Sequence, residues 1–302
     1  MGQDGLQLFG GDWTERKLDA LEQYLRAYAK ALSKRSFERI YIDAFAGTGY
    51  RQQKTAVHSE PVLDIFAEEF SELCAKEPQE FLDGSAKIAL KVEPPFHRFI
   101  FIEGVQKKAK ELENLKTEFP ERASSIDIRP ADANKAIQDI CDKWDKKEER
   151  GVLFLDPFGM QIEWNTIEAV AGTGCIDTWI LFPFAANRLM TQSPSDIPTR
   201  WRDRLNKLFG TPAWEQRFYK EHKRRDIFDG DTTVVEKNLR LSGLAAFYGE
   251  RLQSAFPMVA PNPCVLRNNS GQPLFQLYFA ASNPGKGGEI ALRIASHILE
   301  RI

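Results

Sequence analysis

The 302-residue sequence predicts an α/β protein: a three-layer sandwich with a mostly parallel seven-stranded sheet, a C-terminal antiparallel hairpin and a helical insertion. Three observations carry that prediction. Five short apolar runs alternate with helical stretches, which suits a parallel sheet covered on both faces. The first run closes on a glycine turn, and the chain ends with two strands too closely joined to be parallel.

The elements follow in order. Residues 14–33 carry Leu18, Leu21, Leu25, Tyr28, Ala29 and Leu32 at three- and four-residue steps, an amphipathic helix with Thr14 as its N-cap candidate. Ile40–Phe45 is a buried strand running into Gly47-Thr48-Gly49. Pro61 opens a helix through about Leu73, since proline fits the first helical turn. Lys76–Pro95 is polar and proline-bearing, and reads as an excursion. Arg98–Glu103 is the second strand, with a charged helix over Val105–Phe119 behind it. Ile126–Arg129 is the third strand, Ala133–Trp144 a helix, Val152–Asp156 the fourth strand and Thr178–Phe182 the fifth. Cys264–Arg267 and Leu274–Ala281 flank a turn-rich joint and form the terminal hairpin, and a helix over Gly288–Ile302 closes the chain. The organisation expected is an N-terminal helix and α/β core over 1–187, a basic helical insertion over 188–240, and the rest of the core over 241–302.

Bulk properties narrow the function classes. Apolar residues at 42% and charged residues at 28% suffice for a packed core and argue against disorder. No run approaches the roughly 18 apolar residues of a membrane span, and the first residues lack the features of a signal peptide, so a cytoplasmic protein is expected. The four cysteines and four histidines are scattered, which leaves no disulfide or metal framework to expect. Net charge is −2, yet Arg188–Arg225 holds ten Lys/Arg against four Asp/Glu. Such asymmetry points to an anionic partner at that segment.

Candidate site residues cluster at strand ends. Asp43-Ala44-Phe45-Ala46-Gly47-Thr48-Gly49 places an acid before a glycine loop, where the backbone can turn sharply and approach a ligand. Its spacing is not the GxGxxG dinucleotide fingerprint; it resembles motif I of S-adenosylmethionine (SAM)-dependent methyltransferases. That resemblance implies a Rossmann-like SAM-methyltransferase sandwich, with Asp43, Phe45, Ala46, Gly47, Thr48 and Gly49 on the methionine part of SAM. A tight turn binding nothing is the alternative. Glu103, ending the second strand, is the candidate for the ribose hydroxyls, because a carboxylate is acceptor-only. Asp132 stands where such enzymes contact adenine, and serves equally well as a helix N-cap. Asp156-Pro157-Phe158-Gly159 ends the fourth strand, where amino methyltransferases often carry [DN]PP[YF]. The second proline is missing here and the aromatic comes one place early; DPFG itself resembles the motif of tRNA guanine-N2 dimethyltransferases. The implied catalytic set is Asp156, Pro157 and Phe158, acting chiefly by orienting the acceptor amine.

In the basic segment, Arg200, Arg202, Arg204, Lys207, Lys220, Lys223, Arg224 and Arg225 are candidates for nucleic-acid phosphates. The aromatics among them, Trp201, Phe209, Trp214, Phe218 and Tyr219, read as core faces or as base-stacking platforms. Ser282–Gly288 offers consecutive backbone N–H groups before the last helix, an anion site or a plain loop.

Several pieces together resemble the TcmP family, the three-Cys-motif partner proteins: Trp13 and Lys17 in the opening helix, YIDAFAGTG, FIE, LDPFG and FAASNPGKGG. The likeness implies a methyltransferase-like fold and a cysteine-rich protein partner, without supplying a substrate. The function expected is SAM-dependent N-methylation of an amino group, on guanine or adenine of a nucleic acid. The alternative is a non-catalytic partner subunit that keeps the fold.

Overall fold

The computed structural model describes residues 12–48, 84–157, 159–226 and 230–302. The helix expected over Pro61–Leu73, and the site candidates Gly49 and Phe158, lie outside the described residues.

Eight strands fill seven positions of the main sheet. These are β1 (Glu38–Asp43), β2 (Arg98–Ile102), β3 (Ile126–Arg129), β4 (Glu149–Leu155), β5 (Ile176–Pro183), β8 (Met258–Val259), β9 (Cys264–Arg267) and β10 (Pro273–Ala281). The order is β3-β2-β1-β4-β5-β10, and β8 and β9 then share the far edge of β10. β1 to β5 are mutually parallel, whereas β10 runs antiparallel to β5 and β9. This is the Rossmann-like order expected of the methyltransferase sandwich, including the terminal hairpin.

Strand alternation sorts the core into two layers, because successive side chains point to opposite faces. Ile40, Ile42, Ile100, Ile102, Leu153 and Leu155 join one cluster with helices α5 (Ala133–Asp142), α6 (Trp164–Thr173) and α9 (Leu241–Ala255). Tyr41, Phe99, Phe101, Val152 and Phe154 face the other way, onto α1 (Asp12–Leu32), α2 (Ser85–Leu90) and α10 (Lys286–Leu299). The opening helix therefore lies directly on the sheet: Leu21, Tyr24, Leu25 and Ala29 are essentially inaccessible.

Three expectations need correction. The described part of the 76–95 excursion holds a short helix where no element was expected: α2 buries Ala86, Ala89 and Leu90, an i, i+3, i+4 set that makes a helical face. The helix of 105–119 is broken at Glu113 into α3 (Gln106–Leu112) and α4 (Asn114–Glu118). The 188–240 insertion is helical only in part. After α7 (Thr199–Phe209) and α8 (Trp214–Phe218) it turns into an antiparallel ribbon, β6 (Tyr219–Asp226) and β7 (Gly230–Lys237). The reason is legible in retrospect: Tyr219–Asp226 has no apolar stripe for a helix to bury, while Thr232-Thr233-Val234-Val235 is β-branched throughout.

Candidate active site at the carboxyl edge of the sheet

In an open α/β sheet a ligand crevice forms outside the carboxyl ends of the strands, where the strand order reverses. Here that point lies between β1 and β4, whose neighbours lead away in opposite directions. Asp43 ends β1, and Asp156 follows the last residue of β4. In register Asp43 pairs with Phe154 on one side and Phe101 on the other, so Asp156 and Glu103 stand two residues further along the flanking strands. All three acids share the parity of Tyr41, Phe101 and Phe154. They project to the face that α1 covers.

Asp43 has no solvent exposure. Tyr41 Oη donates to its Oδ2 at 3.2 Å, Phe45 N–H to its Oδ1 at 3.2 Å, and Ser85 on α2 adds a side-chain hydrogen bond. Burial nevertheless pushes its pKa up to about 6, these hydrogen bonds oppose the rise, and the charge of Asp156 adds to it. The carboxylate thus shapes the turn it was expected to offer to a ligand. Gly47 follows at φ +63°, a left-handed conformation that favours glycine, and a Cβ built there meets none of the described atoms within 4 Å. Phe45 is half-buried, whereas Ala46 and Thr48 are buried beside it.

Glu103 is tied to the same turn. It accepts from Val105 N–H at 2.8 Å and from the backbone N–H of Gly47. Burial raises its pKa, against those two bonds and the nearby charge of Lys108. Ala46 N–H reaching Ile102 O at 3.0 Å completes the stitching of the glycine turn to the end of β2. Asp132 is exposed and caps α5, accepting from Lys135 N–H at 3.0 Å, so its helix-capping role is realised.

Asp156 meets a residue from the far end of the chain. Lys17, on α1, donates its Nζ to Asp156 Oδ2 in a close ion pair, with the lysine side chain 7% exposed and the aspartate 26%. Pro157 is buried, and Gly159, at φ +95°, donates to Pro157 O at 2.9 Å, which turns the chain after the acid. Asn134 pins the next stretch: its Nδ2 donates to Gln161 O at 2.8 Å, and its Oδ1 accepts from Glu163 N–H at 2.9 Å and Thr166 Oγ1 at 2.9 Å. Lys17, Tyr41, Ser85 and Asn134 are the members of this constellation that sequence reasoning did not assign. Lys17 and Tyr41 had a signal, their places in the W-x-x-x-K opening and in YIDAFAGTG.

The basic segment splits. Phe209, Trp214, Phe218 and Tyr219 are buried in the core, so they are no stacking platform for bases. Arg202 pairs with Glu215 and Lys207 with Glu163, the latter at 2.8 Å. Arg200 and Arg204 also have interactions within the chain. Lys220 and Lys223 are exposed on β6; of Arg224 and Arg225 the backbone is described and the side chains are not. The loop at 282–288 serves a structural purpose: Ser282 binds Ile176 across the sheet, and Asn283 Oδ1 accepts from Gly285 N–H at 2.8 Å. A separate cavity of about 450 Å³ lies between α9 and the β8–β10 edge, lined by Leu241, Ala245, Val259, Val265 and Tyr278 among others, and shares no residue with the acidic crevice. Among the described residues no cluster of His, Cys, Asp and Glu could hold a metal, and no helix is long and apolar enough to cross a membrane.

No protein-family model matches the sequence, and no curated protein matches it. Among solved structures, protein LPL1258 of Legionella pneumophila, from the family DUF519, superposes with a TM-score of 0.44 at 12% identity over 96% of this chain and 92% of its own. A spermidine synthase in complex with the transition-state analogue AdoDATO gives 0.41 at 10% identity, over 91% of this chain and 62% of its own. A Klebsiella pneumoniae protein assigned as an O-methyltransferase gives 0.34 at 9% identity, over 77% and 93%. These likenesses are distant, and it is the strand order itself that defines the chain as a Rossmann-like sandwich of the methyltransferase type.

Proposed function

We propose that the chain is a SAM-dependent methyltransferase whose acceptor is an amino group of guanine or adenine in a nucleic acid. The observation that supports it best is the gathering of Asp43, Glu103 and Asp156, from three strand ends, around a left-handed glycine turn at the switch point of the sheet. The donor set suits a cationic, ribose-bearing cofactor. Three carboxylates gather against Lys17 and Lys108, an excess of negative charge that a sulfonium and an ammonium would complement.

When bound, the cofactor supplies an electrophilic methyl group, so the chain's own task is binding and orientation. Glu103 is the candidate for the ribose hydroxyls, and the Phe45–Thr48 backbone for the methionine part. Asp43, enclosed and bonded to its own turn, acts by holding Phe45 N–H and by its field. Asp132 can meet the adenine while capping α5. Asp156 would accept a hydrogen bond from the acceptor amine, with the buried Pro157 next to it in the chain. Lys220 and Lys223, with Arg224 and Arg225 next along β6, would meet phosphates. A three-Cys-motif protein is the proposed partner, to be sought by co-purification.

Calorimetry with SAM tests the site. The parent chain should bind it, and Glu103→Ala should weaken binding at least tenfold, about 1.4 kcal/mol. Affinity unchanged from the parent in both Glu103→Ala and Asp43→Ala would remove the assignment. Labelled-methyl transfer to total tRNA and DNA then identifies the acceptor.

A further inference from the structure

Lys17 is an unusual cation. Its side chain is almost enclosed, its Nζ lies 5.0 Å from the Trp13 ring centroid, and Trp13 itself is held by stacking on Phe275 at 5.2 Å. Among the described residues Asp156 is its hydrogen-bond partner, although an ammonium has three donors to place. Asp156, in turn, is bound on Oδ2 alone among the described residues and keeps an exposed side. The groups around the pair are Asp43 and Tyr41 from β1, with Ser85 of α2 bonded to Asp43. Without Lys17, Asp156 would stand close enough to Asp43 to raise its pKa, with no cation bonded to it among the described residues.

We propose that Lys17 is a positioning residue that fills the cation place on Asp156, leaves its Oδ1 as the acceptor-facing atom, and so restricts the site to neutral amines such as those of nucleobases. An alkylammonium, as in a polyamine or a lysine side chain, would have to share one carboxylate with a cation already seated there, and like charges that close repel. A neutral arylamine needs only an acceptor for its N–H, which Oδ1 provides. The proposal rests on the reading of Asp156 as the acceptor-binding group.

The test uses the full chain, with carboxyl-carbon NMR of labelled aspartates for Lys17→Met, Lys17→Arg and Lys17→Ala. In Lys17→Met, Asp43, which feels the charge of Asp156, should take up its proton at least one pH unit higher than in the parent, and Lys17→Arg should restore the parent titration. Propylammonium added to Lys17→Ala should move its titration back, and should leave the parent unchanged. An unaltered titration in Lys17→Met overturns the positioning role, whatever SAM does. If Lys17→Met does not fold, the propylammonium response of Lys17→Ala decides. Restriction to neutral amines is read by methyl transfer: an adenine- or guanine-containing oligonucleotide should be preferred over spermidine or a lysine peptide by at least 100-fold, and comparable rates would overturn it. Failure of SAM binding sinks the enzymatic reading but leaves the titration result standing, so the two failures are told apart.

Discussion

Asp177 shows how a single buried acid couples this fold to pH. It stands near the start of β5, enclosed, with Tyr24 of α1 donating to it at 2.7 Å. Burial pushes its pKa up to about 7, and the Tyr24 bond only partly opposes that. The native state therefore holds a proton that the unfolded chain, titrating near 3.9, has already released. Between about pH 4 and 7 native stability falls as pH rises, and above 7 the loss is constant. Asp177→Asn keeps an acceptor for Tyr24 and removes the charge. Denaturant melts should show it matching the parent near pH 4 and exceeding it by about 2–4 kcal/mol at pH 8; parallel curves would mean that Asp177 does not titrate this way. Gly210 makes a different residue-scale point. It ends α7 at φ +66°, and a Cβ there would sit 2.1 Å from Trp164 Cδ1. Gly210→Ala combines left-handed strain with overpacking and should cost about 2–5 kcal/mol in the same measurement. Asp43 and Glu103 could be singled out because an acid before a glycine turn and an acid ending an apolar strand are local patterns. The Lys17–Asp156 pair could not, because its partners are 139 residues apart.

Among the elements, α1 and the β6–β7 ribbon were read with opposite success. The periodicity of α1 announced an apolar face, and Leu21, Tyr24 and Leu25 are buried by it. Nothing in that periodicity said which layer it would cover, so its delivery of Lys17 to the crevice was invisible. The ribbon was expected as helix because its charges hid the strand period. Its cross-strand register sets Lys220 opposite Glu236 and Lys223 opposite Thr233, so part of the basic charge is answered within the ribbon. If the ribbon meets phosphates, Lys220→Glu with Lys223→Glu should lower nucleic-acid affinity and flatten the log–log salt dependence by about two units, since each phosphate contact contributes about 0.9. An unchanged slope would assign those lysines to solvent. SAM affinity should not move, because neither residue is among those assigned to the cofactor.

At the scale of the molecule, one sheet separates two apolar layers. Leu153 belongs to the layer under α5, α6 and α9, and Leu277 to the layer under α1 and α10. Each truncated to alanine should cost about 2–5 kcal/mol. The double variant should be additive to within about 0.5 kcal/mol, because the two sites share no partner across the sheet; strong coupling would mean that the layers relax together. The sequence by itself determined the alternation of the first five strands with helices, the parallel core, the terminal hairpin and the acids at the strand ends, since hydrophobic period and turn chemistry act over neighbouring residues. Only the tertiary structure decided that a lysine of α1 neutralises one of those acids, that a serine of α2 bonds another, and that most aromatics of the basic segment are core. Those outcomes depend on which faces pack together, and packing joins residues that the chain keeps far apart.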